Sequence, residues 1–198
     1  MWTLHRKYRW LRRRKEICLM DARASEVSQG GGEMQKVNPG MLRWLWLTLA
    51  VIVLDLGTKW YVSTNMVLGE SVPVAPFFSF TLLHNTGAAF SFLADASGWQ
   101  RWFFIILAAV VSVVLVLWLV RLTREERWMA CALSLVLGGA LGNLYDRAVL
   151  GYVVDFLHFF YGGYNFPAFN FADTTITIGA FMIAIDVFRN PSGATEDK

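Results

Sequence analysis

Four long apolar stretches divide the chain, and they differ in how completely they exclude charge. Trp102 to Val120 is 19 residues without a charge and Trp128 to Tyr145 is 18, each close to the roughly 20 residues a helix needs to cross the hydrocarbon core. Leu42 to Val62 is mostly Leu, Val, Ile and Trp but carries Arg43, Asp55 and Lys59, and Phe169 to Phe188 carries Asp173 and Asp186. The pattern predicts an α-helical membrane protein with four transmembrane helices, two of them with polar content that needs a reason. Between the first two spans "SVPVAPFFSFTLL" (71 to 83) reads as strand-like pieces. Between the last two, Phe156 to Phe169 is so rich in Phe and Tyr that it reads as an interfacial belt or a lid lying on the bilayer.

Composition supports this, at 56% hydrophobic and 17% charged residues. Lys and Arg collect in Arg6 to Lys15, in "RLTREER" (121 to 127) and at Arg189 and Lys198. These pieces share one side of a four-span chain, which predicts an N-in/C-in orientation, with 64 to 100 and 147 to 168 on the outer face. The net charge of +3 hides an asymmetry: residues 1 to 40 hold nine Lys or Arg against four Asp or Glu, leaving 41 to 198 net negative. That balance excludes a nucleic-acid-binding surface on the body. Residues 1–40 read as a basic cytoplasmic extension, flexible around "SQGGGE" or an upstream over-extension of the reading frame with Met34 or Met41 as the start. Residues 41–190 form the four-span domain and 191–198 a cytoplasmic tail. Cys18 and Cys131 fall on the tail and inside a span, so no disulfide and no metal site are expected.

An ionisable group within a span costs about 2.5 to 3.5 kcal/mol at a helix centre, so each one calls for a function. Asp55 and Lys59, at i and i+4, share a helix face and can pair, either to fix the helix or to handle substrate. Asn143, Asp146 and Arg147 end the third run and can brace its outer mouth, the guanidinium holding carboxylate or carbonyl oxygens. Asp155 follows a turn at Gly151 and lies among Val153, Val154, Phe156 and Leu157, an apolar setting that raises a carboxyl pKa. Asp173 opens the fourth span, and the 147 to 168 connection can fold it towards Asp155. Two facing carboxylates in a low dielectric share a proton, the arrangement of an aspartic protease. Spacing alone leaves two separate interfacial acids equally open. Asn170 precedes Asp173 by three residues, and Asn85 with Gly87 in "HNTGAAF" (84 to 90) lets a peptide backbone approach closely. His84 and His158 read as interfacial side chains, and Asp186 as a cytoplasm-facing acid.

With these residues in hand, the chain from about 42 to 190 resembles the signal peptidase II family of bacterial lipoprotein signal peptidases. The signatures are Asp55 and Lys59 in "DLGTK", Asn85, Gly87, Ala88 and Phe90 in "NTGAAF", and Asn143, Asp146 and Arg147 in "GNLYDR". Asp155 in "VVDF" and Asn170, Ala172 and Asp173 in "FNFAD" complete them, in the family's order. The resemblance implies a small extracytoplasmic β-cradle at about 64 to 95 and a lid at about 152 to 168. It implies an endopeptidase of the bacterial cytoplasmic (inner) membrane, with its site near the periplasmic interface. The substrates would be prolipoproteins carrying a diacylglyceryl-cysteine, cut by the catalytic pair Asp155 and Asp173 without metal or cofactor. Asp55, Lys59, Asn85, Gly87, Asn143, Asp146, Arg147, Asn170 and Ala172 would take supporting or substrate-contacting roles. Membrane lipid is the expected surrounding and a monomer the expected state. The alternatives are a small proton-coupled transporter, which needs ionisable residues along a path through the membrane, and a purely structural assembly subunit.

Overall fold

The computed structural model describes residues 39–87 and 99–189. A helical turn, α1 (Pro39–Leu42), leads into α2 (Leu45–Asn65), followed by α3 (Trp99–Arg121), α4 (Arg127–Val149) and α5 (Phe171–Arg189). From α2 onward each helix is long and apolar enough to cross a membrane. Helix α4 is the hub, with 61% of its apolar window buried against 17–28% for the others, and it packs against α2, α3 and α5. Its Gly and Ala content makes that possible: Gly138 lies against Val51 of α2, Gly139 against Ala172 and Thr175 of α5. The other helices turn Leu, Val, Ile, Phe and Trp outward, among them Trp46, Leu49, Val110, Leu117 and Phe181. Outward apolar side chains suit lipid as the surrounding solvent.

Four antiparallel strands lie between the helices: β1 (Ser71–Ala75), β2 (Phe78–Asn85), β3 (Val153–Tyr161) and β4 (Tyr164–Asn165), in the order β1-β2-β3-β4. The segment expected as a lid at 152 to 168 supplies β3 and β4. Sequence hid this strand because its core half is buried on both faces, Val153 to Phe156, so no apolar–polar alternation marks it. The expected cradle at 64 to 95 supplies β1 and β2; its remainder, with Ala88 and Phe90, lies outside the described residues, as do 1–38 and 190–198. Positive φ angles at Gly151 (89°), Gly162 (56°) and Gly163 (86°) mark the turn into β3 and the two-residue hairpin out of it.

Two of the departures from the apolar runs have a visible cause. Helix α4 continues to Val149, past the charges that end its run, and Arg101 caps it by donating to the carbonyls of Arg147 (2.8 Å) and Ala148 (2.9 Å). Helix α5 starts at Phe171, because Phe169 is held extended in a bridge with Leu157 of β3.

Candidate active site

Helix α2 inverts the usual pattern of a soluble helix, burying Thr48, Val51, Asp55, Lys59 and Val62 on one face at spacings of three and four. Lys59 is 2% exposed, with Asp55 Oδ2 at 2.7 Å, Asn143 Oδ1 at 2.9 Å and Asp146 Oδ2 at 3.0 Å around its Nζ. The expected i,i+4 pair is present, and Asp146 of α4 joins it. Sequence could not show the second pair, since Asp146 lies more than eighty residues further on.

The sequence "NFAD" is a capping box at the start of α5. Asn170 Oδ1 accepts the Asp173 N–H (2.9 Å) while Asp173 Oδ2 accepts the Asn170 N–H (3.2 Å). Between them, the Ala172 N–H donates to Asp55 Oδ1 (2.9 Å), placing a carboxylate at the helix N-terminus. Asp173 thereby has its backbone and its carboxylate fixed together.

Asp155 projects from β3 and is 3% exposed. A bulge in β2 between Phe80 and Leu83 sets the register, pairing Leu83 with Asp155 and Asn85 with Val153, so that Asn85 shares the face of Asp155. Three side-chain amides converge on the two aspartates. Asn85 Nδ2 donates to Asp155 Oδ2 (2.9 Å), Asn170 Nδ2 to Asp155 Oδ1 (2.7 Å) and Asn143 Nδ2 to Asp173 Oδ1 (2.8 Å). Each amide is held in that sense by a group that can only donate. The Gly87 N–H (3.0 Å) holds Asn85 Oδ1, the Asp173 N–H holds Asn170 Oδ1, and the Lys59 ammonium holds Asn143 Oδ1. Among the described residues no hydrogen bond joins the two carboxylates directly.

Burial pushes the Asp155 carboxyl up to about 7. The neighbouring Asp173 charge adds to the rise, while the Asn85 and Asn170 amides and Lys59 oppose it. Arg147 takes carbonyls rather than carboxylates, donating to Gly87 O (3.2 Å) and, at 3.4 Å, to Asn143 O, with Phe104 5.0 Å below the guanidinium.

A cavity of about 520 Å³ opens beside these groups, lined by Asn85, Asn143, Arg147, Asp155 and Asp173 on one side. Val153, Phe166 to Phe169, and Thr174, Ile176, Thr177 and Ile178 of α5 form the rest. The α5 part of this wall was missed in the sequence, although Thr174 and Thr177 carry a signal: they follow Asn170 and Asp173 at i+4 on the same helix face. The structure brings the nine residues expected to support the site together with the two aspartates, Gly87 through its backbone and Ala172 through its N–H.

Residues 47–189 match the model of a protein family described as signal peptidase (SPase) II. The chain belongs to the signal peptidase II family. Relatives at this level include the lipoprotein signal peptidase of Pseudomonas putida, 58% identical over 76% of this chain and 90% of that protein. That of Acinetobacter baumannii is 55% identical over 81% and 92%. Family likeness extends to three dimensions: a bacterial membrane enzyme solved by the in meso method at 2.3 Å is 34% identical. It superposes with a TM-score of 0.69, over 79% of this chain and 93% of that one.

Proposed function

We propose that this chain removes signal peptides from prolipoproteins and that Asp155 and Asp173 are the carboxylates that cut. The family supports the reaction, and one observation carries the residue assignment: three locked amides deliver N–H groups to two carboxylates at one wall of a cavity. Among the described residues the buried ionisable groups Asp55, Lys59, Asp146 and Asp155 gather in this one cluster, whereas a proton-coupled transporter spaces them along a path.

The pair works with one proton between its two members. The ionised carboxylate takes a proton from water as the water oxygen attacks the scissile carbonyl carbon, and the protonated partner donates to the carbonyl oxygen. Collapse of the tetrahedral intermediate breaks the C–N bond as one carboxyl gives its proton to the departing amine nitrogen and the other takes a proton from a hydroxyl of the intermediate, which returns the pair to one proton. The amides of Asn85, Asn143 and Asn170 hold the carboxylates in place throughout. The remaining residues, Asp55, Lys59, Gly87, Asp146, Arg147 and Ala172, support the site.

The substrate carries a diacylglyceryl-modified cysteine just after the cut. Its signal peptide enters from the bilayer along Thr174, Thr177 and Ile178, and Phe166 to Phe169 close the cavity as a lid. Both termini face the cytoplasm and the site faces the periplasmic interface of the inner membrane. In a cleavage assay with purified, diacylglyceryl-modified prolipoprotein, Asp155→Asn and Asp173→Asn are each expected to lower turnover at least about 10³-fold. Near-normal cleavage by either variant would refute the assignment.

A further inference from the structure

Lys59 touches neither aspartate, yet each of its three partners ends on one of them or on the residue immediately before. Asn143, whose Oδ1 faces the ammonium, donates from Nδ2 to Asp173. Asp55 binds Lys59 through Oδ2 and takes the N–H of Ala172, one residue before Asp173, on Oδ1. Asp146 Oδ2 meets both Lys59 and, at 3.2 Å, the N–H of Val154, one residue before Asp155. A single buried ammonium thus joins α2, α4, β3 and the start of α5 at the points that place the pair. Structure alone would need a cation to neutralise Asp55 and Asp146; it would not need those two acids to end on Ala172 and Val154.

We infer that Lys59 is a positioning residue for the reaction, setting the separation and orientation of Asp155 and Asp173 through Asn143, Asp55 and Asp146. The inference rests on the assignment of that pair. An ammonium offers three N–H directions to three oxygens, whereas the planar guanidinium of an arginine spreads its donors in one plane. Conservation of charge therefore does not conserve the geometry.

The test compares wild type, Lys59→Gln, Lys59→Arg, Asp155→Asn and Asp173→Asn as full chains in detergent, with purified diacylglyceryl-modified prolipoprotein as substrate. Readouts are kcat, KM, the pH profile and the thermal midpoint. Lys59→Gln is expected to lose about 10²-fold in kcat, the scale of a 1 Å misplacement, with KM within about threefold. Lys59→Arg does not restore it. Removing the positive charge also moves the whole pH profile of Lys59→Gln to higher pH, since that charge favours the ionised pair. If Lys59→Gln does not yield a monodisperse protein, the double variant Lys59→Met/Asp146→Asn, which removes one charge of each sign, takes its place with the same readouts. Wild-type kcat and pH profile in a folded variant overturn the inference, as does unfolding of both variants, which leaves Lys59 a purely structural role. Activity surviving in Asp155→Asn or Asp173→Asn removes the pair itself, a separate outcome.

Discussion

Asn85, Asn143 and Asn170 can each rotate by half a turn and present oxygen instead of nitrogen, and in this site none is free to do so. A donor-only neighbour takes the oxygen of each, so three N–H groups face the aspartates. The proposed reaction needs one proton on the pair. Cleavage is then expected to follow a bell in pH, its alkaline limb falling through about pH 7, where Asp155 gives up its proton. Stability carries the same signature. The folded pKa of Asp155 is raised above its unfolded value, so its contribution is full below about pH 4 and is lost as pH rises to about 7. Thermal midpoints measured across that window are expected to fall with pH in the wild type and to lose this component in Asp155→Asn; a matching slope in both would rule it out. At this scale the sequence was highly legible, because acids in apolar surroundings call attention to themselves. What it could not display was Lys59 meeting Asp146 or Asn143 meeting Asp173, contacts made across separate elements.

Helix α4 reaches its neighbours through missing side chains. A Cβ on Gly142 would run into the Asp55 carboxylate, which Lys59 and Ala172 hold in place. Gly57 on α2 has nothing within 4 Å of such a Cβ. Gly142→Ala is therefore expected to destabilise by about 1–3 kcal/mol and to depress cleavage, as overpacking does. Gly57→Ala is expected to be neutral or to stabilise by up to about 1 kcal/mol through helix propensity. Unfolding in detergent distinguishes the two. Loss of the α4 cap in Arg101→Ala is expected to cost about 1 kcal/mol, read by the same unfolding curve. Elements were unevenly legible from the chain itself. The spans could be read because apolar runs of that length have one common explanation, and α2 lies three residues downstream of its run, at Leu45–Asn65. Strand β3 could not be read: its partner β2 lies two spans earlier, and pairing over that distance leaves no local mark.

Across the whole molecule, the proposed orientation puts the basic segments in the cytoplasm and the site at the outer interface. Reporter fusions after Arg121 and Arg189 are expected to read as cytoplasmic, and one in the Gly162–Gly163 turn as extracytoplasmic; a reversed pattern would place the site on the wrong side for exported precursors. The order in which the pieces are made has a further result. Asn85 waits through two spans before Asp155 exists to receive it, and Asp55 waits through 117 residues for the N–H of Ala172. Long-range closure of this kind comes late in folding. A chain still leaving the ribosome therefore holds no competent centre until its last span has entered the bilayer. On the proposed assignment, the chain's own hydrophobic segments pass through the insertion stage before that same copy is able to cut.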